Sequence, residues 1–268
     1  MTTVITGWSP KGFVEYGFRF VETFHKHWPA DVNLISYTEE RVDLPRGECR
    51  SLWDCVGARE FYERHKDNRE HSGREPNALW RQKDTDKSYS WRFDTLKWFR
   101  QCLIPNGAAG TLPDGELMIW LDADVVTLRD VPVDFVEGLI GDADLVYLGR
   151  KNTHSEIGFW AVRLNARTRD FLKHFADMYR GGAEPRAIGS PLAGIVDVFD
   201  LPEWHSAYVF DRVREDHETL DAGFDIAAHD LTPGGRGHVW HSSPLTLYTD
   251  HLKGNRKQIG FSPERKRA

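Results

Sequence analysis

The sequence predicts an α/β protein built on a mostly parallel sheet with helices on both faces, and three observations carry that prediction. A strand, a helix and a second strand follow one another within the first 40 residues, over 3–7, about 13–28 and 32–37, the order that builds a parallel sheet with a crossover helix. An unbroken apolar run, Leu117-Met118-Ile119-Trp120-Leu121, leads straight into Asp122-Ala123-Asp124. Shorter apolar runs at 145–148 and 159–162 then alternate with segments of helical spacing.

The elements follow in order. Trp8-Ser9-Pro10-Lys11-Gly12 reads as turn punctuation after the first strand, and Gly17, Phe20, Val21, Phe24 and Trp28 fall on one helical face before Pro29 stops it. A helix is expected at 56–66. Residues 67–90 are crowded with charge and nearly devoid of aliphatic side chains, which predicts a loop or mobile lid. Phe93, Leu96, Trp98, Phe99 and Leu103 predict a helix that Pro105-Asn106-Gly107 ends. Asn165 is placed to cap a helix carrying Phe171, Leu172, Phe175, Met178 and Tyr179, with Gly181-Gly182 as its stop. A helix around 204–213 and a strand at 245–248 complete the reading. With no internal repeat and no linker, the chain reads as a single domain over 1–268.

Composition narrows the class. The 268 residues carry 35 Lys+Arg against 41 Asp+Glu, a formal charge of −6, with 40% hydrophobic and 12% aromatic residues. Such a chain buries a sizeable core and is not globally disordered. No window approaches the about 18 apolar residues of a membrane span, and Met1-Thr2-Thr3-Val4 lacks a basic leader, so a cytoplasmic location is expected, in a bacterium or a phage-infected cell. Cys49, Cys55 and Cys102 lack Cys-x-x-Cys spacing, which argues against a disulfide framework or a cysteine-based zinc site. The overall acidity argues against a uniformly basic nucleic-acid-binding face, although Lys253, Arg256, Lys257, Arg265, Lys266 and Arg267 gather positive charge near the C-terminus.

Asp-x-Asp occurs three times, at Asp84/Asp86, Asp122/Asp124 and Asp142/Asp144. The first lies in the charged segment and the third precedes its strand. Only Asp122/Asp124 follows a buried apolar strand, where ligands of open α/β sheets gather. Two carboxylates at i and i+2 of an extended chain point to one side and suit a hard divalent cation, Mn²⁺ or Mg²⁺, able to neutralise a diphosphate. Near the C-terminus, His251-Leu252-Lys253-Gly254-Asn255-Arg256-Lys257 reads His-x-x-Gly-x-x-Lys. It offers a nitrogen ligand, a glycine that lets backbone approach phosphate oxygens, and a cation for a diphosphate.

Together, the strand-helix-strand start, the 119–124 strand end and the His251/Gly254/Lys257 motif resemble the GT-A fold nucleotide-sugar glycosyltransferases, particularly the glycogenin and lipopolysaccharide galactosyltransferase group. The resemblance implies a Rossmann-like GT-A domain. It implies that Asp122, Asp124 and His251 hold Mn²⁺, that Asp122, Gly254 and Lys257 contact a UDP-sugar diphosphate, and that Thr6 and Gly7 lie near the nucleotide. It also implies nucleotide-sugar binding in about 1–125, acceptor binding in about 126–250, and a diphosphate-contacting loop with a basic tail at 251–268. The chain departs from that group where Gln258-Ile259 replaces Pro-Trp and Ser155-Glu156-Ile157-Gly158 replaces an Asn-x-Gly element.

The resemblance also implies that a basic residue on the helix before the Asp-x-Asp strand, which carries Lys97 and Arg100, approaches the donor; a solvent-facing lysine, with Asp94 one turn earlier as its helix-surface partner, is the alternative. Glu156 and Asp211 are candidates for the reacting-centre carboxylate, and the aromatics before Asp211 are candidates to stack on a sugar or base. His238 and His241 are alternative metal ligands with structural or acceptor-side roles favoured. The leading expectation is a metal-dependent glycosyltransferase acting on a hydroxyl acceptor, a glycan or a hydroxylated pyrimidine in phage DNA. A nucleotidyltransferase and a non-catalytic sugar- or nucleic-acid-binding module are the alternatives.

Overall fold

The structure, a computed structural model, describes residues 1–83, 88–184, 190–219, 226–263 and 265. The chain opens with β1 (Thr2–Trp8), a short turn of helix α1 (Pro10–Gly12), a π-helical turn (Phe13–Gly17) and α2 (Phe18–His27), then β2 (Val32–Thr38) and β3 (Glu48–Ser51). Helices α3 (Ala58–His65), α4 (Ala78–Lys83) and α5 (Thr95–Ala109) follow. Then come β4 (Leu117–Leu121), β5 (Val125–Thr127), α6 (Phe135–Ile140), β6 (Leu145–Leu148) and β7 (Glu156–Arg163). Helices α7 (Ala166–Arg180) and α8 (Ser206–Thr219) precede β8 (Ala228–Asp230), β9 (Thr249–His251) and α9 (Arg256–Ile259).

These elements form two compact units, each drawn from separated segments: Met1–Ser51, Leu112–Asn165 and Ala227–Ala268 in the first, Leu52–Thr111 and Ala166–Ile226 in the second. The first unit holds a seven-stranded mixed sheet in the order β3-β2-β1-β4-β7-β6-β8, parallel except where β7 pairs with β4 and β6. The strand order reverses between β1 and β4. Such a reversal opens a crevice at the carboxyl ends of its two strands, the ends occupied by Thr6-Gly7-Trp8 and by Asp122. Strand periodicity divides the residues: Val4, Leu117, Ile119, Leu121, Phe159 and Ala161 join Phe20, Phe24, Val136 and Ile140 in one core. The alternating Trp120 and Trp160, paired across β4 and β7, stack at 6.4 Å. A separate two-stranded sheet pairs β5 with β9, setting Val125 opposite His251.

The second unit is helical. Phe61, Phe99, Phe171, Phe175, Tyr179 and Phe210 are buried in it, with Phe61 stacked on Phe99 and Phe171 edge-on to Phe210. Among the described residues no helix is long and apolar enough to cross a membrane.

Several sequence expectations change. Ser9 and Pro10 begin the first helix instead of a turn: the Ser9 hydroxyl accepts from the Gly12 N–H and Pro10 occupies the first helical position, where it lacks no needed donor. Pro105 does not stop α5, which runs on to Ala109. Burial of Cys102, Leu103, Ile104, Pro105 and Ala108 outweighs the lost hydrogen bond. Gly107 serves close packing, since a Cβ there would stand 2.9 Å from the Cys55 sulfur. The described part of 67–90 is not a free lid. Ser90 N–H donates to the Gly73 carbonyl, Thr95 N–H to the His71 carbonyl, and α4 plants the fully buried Trp80 beside Phe93. Asp84/Asp86 lies outside the described residues. The strand expected at 245–248 is a 3-10 turn, and pairing begins only at Thr249.

Candidate metal centre

Strand β4 ends at Leu121, and Asp122 continues its pairing by donating its N–H to the Gly158 carbonyl. A tight turn then closes from the Val125 N–H to the Asp122 carbonyl and starts β5, whose pairing with β9 delivers His251 beside both carboxylates. His251 Nε2 lies 2.9 Å from Asp124 Oδ1 and 3.6 Å from Asp122 Oδ2. Lys257 Nζ lies 2.9 Å from Asp124 Oδ2 and 4.1 Å from the centre of the Tyr16 ring. Trp120 Nε1–H donates to Asp122 Oδ1 at 2.8 Å.

Behind His251 stands Glu156, whose Oε1 is 3.6 Å from His251 Nδ1. Its other oxygen receives Lys253 Nζ at 2.5 Å and Arg150 Nη2 at 2.8 Å. Gly158 makes the histidine's place: a Cβ there would fall 2.4 Å from His251 Cε1. His251 is 1% exposed at its side chain, whereas Asp122 keeps 20% and Asp124 12%. The imidazole is therefore walled in and the carboxylates face outward.

The electrostatics follow from that placement. Burial and the neighbouring Asp124 charge push the Asp122 carboxyl up to about 6, against the pull of His251. Asp124 is buried too, but His251 and Lys257 overcome that cost and hold it well below the usual carboxylate range. At Glu156 the burial cost is overcome by Lys253, His251 and Arg150, which bring it down to about 2. Burial would lower His251, yet Asp124 and Glu156 raise it.

Asp122, Asp124 and His251 each offer one ligand atom, all within 4.8 Å of one another. The residues fit a divalent ion: the 2.9 Å His251–Asp124 approach lies outside hydrogen-bond geometry, and Asp124 Oδ1 and both His251 ring nitrogens are buried without a hydrogen-bond partner. Two carboxylates and one imidazole suit Mn²⁺ as well as Zn²⁺.

Of the other residues singled out from sequence, Gly254 adopts φ +58°, a left-handed turn between His251 and Lys257 that favours glycine. Thr6 and Gly7 lie on β1 next to β4, and the buried Thr6 hydroxyl has no hydrogen-bond partner. His238 contacts the His251 carbonyl through Nε2 at 3.3 Å, and His241 lies 3.9 Å from Asp250. Asp144 is structural, accepting from Asn165 and from the Ala227 N–H. Lys266 and Arg267 lie outside the described residues.

Lys97 and Asp211 belong to the second unit. There Asp94 caps α5 by accepting the Lys97 N–H, and Lys97 Nζ lies over the Trp98 ring. Asp211 is buried on α8 with Arg214 3.8 Å away. Trp204 and Phe210, expected to stack on a sugar or base, are instead core residues. Sequence reasoning missed Gly158, Arg150 and Lys253 as parts of the site. An isolated glycine inside an apolar strand signals close approach, and that signal was present in Ile157-Gly158-Phe159.

No protein-family model matches the chain, and no curated protein sequence matches it. Among solved structures the chain is similar to the apo form of mouse xyloside xylosyltransferase 1, with 8% identity, 86% of this chain and 85% of that chain covered, and a TM-score of 0.44.

Proposed function

We propose that the protein is a metal-dependent glycosyltransferase that moves a sugar from a nucleoside diphosphate donor, UDP-sugar being the first choice, to a hydroxyl acceptor. The convergence of Asp122, Asp124, His251 and Lys257 beside the β1/β4 reversal carries the reading. In the reaction the bond between the sugar's anomeric carbon and the diphosphate oxygen breaks, its electron pair leaves with the diphosphate, and the acceptor oxygen bonds to the anomeric carbon as its proton passes to a reacting carboxylate or to the departing diphosphate. Stabilising the leaving charge is the main catalytic demand. Asp122, Asp124 and His251 would hold Mn²⁺ or Mg²⁺, which supplies Lewis-acid neutralisation of the diphosphate. Lys257 adds a fixed positive charge, and the Gly254 turn lets backbone approach phosphate oxygens.

Glu156 is assigned a positioning role. A general base works best with a pKa near the operating pH, and a carboxylate brought down to about 2 and engaged by Arg150 and Lys253 is a weak base. Standing 3.6 Å from Nδ1, outside hydrogen-bond distance, it acts on His251 through its charge. The nucleotide contact of Thr6 and Gly7, the donor contact of Lys97 and the reacting carboxylate role of Asp211 are part of the same proposal. So is the reading of the whole chain as one catalytic domain, with donor binding in about 1–125 and acceptor binding in about 126–250. The acceptor class, a glycan or a hydroxylated pyrimidine in DNA, is open to a screen of UDP release with each acceptor present. Metal-stimulated UDP release from a donor panel supports the proposal; release unaffected by chelator and by Asp124→Ala refutes it.

A further inference from the structure

We propose that the second unit holds a divalent metal ion of the zinc class between α7 and α8, bound by His174 Nδ1, His217 Nε2 and Asp216. This site is separate from the Asp122/Asp124/His251 centre and does not rest on the glycosyltransferase reading. His174 lies on α7, and Asp216 and His217 are consecutive on α8. All three are buried, at 5%, 0% and 2% exposure, and their ligand atoms lie within 4.8 Å of one another.

The spacing is that of a coordination shell. Ligands at about 2.0–2.1 Å from a tetrahedral zinc stand about 3.3 Å apart. His174 Nδ1 and His217 Nε2 are separated by 3.2 Å, and His174 Nδ1 lies 3.9 Å from Asp216 Oδ2. The two ring nitrogens share a hydrogen bond at that distance, and the carboxylate oxygen stands beside them. The outer contacts are equally ordered. Ser190 donates its hydroxyl to the other carboxylate oxygen, Asp216 Oδ1. Asp170, one turn before His174 on α7, faces the far nitrogen of the second ligand, with its Oδ2 4.0 Å from His217 Nδ1. At that distance Asp170 acts on the imidazole through its charge and not through a hydrogen bond.

Charge points the same way. A divalent cation bound there would neutralise the buried Asp216 carboxylate and tie the two helices together. Three protein ligands in a closed helical interior describe a structural ion, whose binding free energy adds to folding.

The test uses the full chain with the first centre silenced by Asp122→Asn, Asp124→Asn and His251→Gln together. After stripping with chelator, loading with Zn²⁺ and desalting, that protein is expected to retain one zinc per chain, whereas the unsubstituted chain retains two. Adding His217→Gln, or separately Asp216→Asn, is expected to bring the retained zinc to zero. X-ray absorption at the zinc edge, on the silenced chain with α7 and α8 intact, is expected to show two imidazole ligands and so does not depend on the folding of the added variants. A zinc-free silenced chain, zinc retained despite both added substitutions, or an absorption spectrum without imidazole would overturn the proposal.

Discussion

Two of the histidine-and-carboxylate clusters among the described residues, Asp122/Asp124/His251 and His174/Asp216/His217, differ in their surroundings. Asp122, Asp124 and His251 sit where strands end. The histidine is enclosed, the carboxylates are partly exposed, and Lys257 stands beside them. His174, Asp216 and His217 sit between helices with all three side chains 4% exposed or less. An open coordination position allows a substrate to exchange with water, whereas a closed shell holds its ion for stability. The same residue types thus stand in two surroundings that differ in burial.

The largest effect that probes this difference is on turnover. Asp124→Ala is expected to lower transfer by about 10²–10³-fold or more, the scale of losing one element of charge stabilisation at the reacting centre, while leaving thermal stability nearly unchanged. Asp216→Asn is expected to do the reverse, lowering the thermal midpoint with Zn²⁺ present and sparing turnover in the folded fraction. Paired melting curves and UDP-release assays check both, and exchanged outcomes would dissolve the distinction between the clusters.

Next in size is the glycine that makes room for His251. Gly158→Ala places a Cβ 2.4 Å from His251 Cε1, so the imidazole must move. Metal affinity is expected to fall by about 10–100-fold, the range seen when support around a ligand is disturbed, as read by titration with Mn²⁺. Glu156→Gln keeps the shape but removes the charge behind Nδ1. A loss of about tenfold in metal affinity is expected, at the low end of that range, with the pH profile of turnover keeping its shape. A profile that loses its acidic limb in Glu156→Gln would restore Glu156 as the reacting base.

Acid stability gives the smallest effect and probes the second unit alone. Burial lowers His65 from its ordinary 6.5 to about 4, with His71 2.7 Å away adding to the shift. Between these values the unfolded chain binds a proton that the folded chain refuses, so stability falls as pH drops from 6.5 to about 4. His65→Gln is expected to flatten that part of the stability profile, as measured by denaturant midpoints at stepped pH. An unchanged slope would mean that the buried pair does not titrate this way.

Much of the first unit was legible because its signals are local. The short strand segments of β1, β2 and β4 and the helical face of Phe20, Val21 and Phe24 lie in continuous stretches, and an apolar strand running into Asp122 and Asp124 marks a sheet's carboxyl end. His251 and Lys257 were found by spacing within seven residues. What escaped depends on residues far apart in the chain. Pro105 reads as a stop until its burial is known, and Trp80 anchors a segment whose composition suggests a loop. Gly158 matters only because β9 brings His251 against it. His174 and His217 stand on two helices, each with a core face and no motif. Sequence periodicity places a residue on a face, but only packing decides which faces meet.

The central claim is that the strand-end cluster works through a bound divalent ion on a nucleotide-sugar. Its most direct test is calorimetric titration of UDP into the chain with Mn²⁺ and with chelator, repeated on Asp122→Asn/Asp124→Asn. UDP binding that requires Mn²⁺ and disappears in the double variant is the expected result. UDP binding of equal strength with chelator present, or undiminished in the double variant, would contradict it.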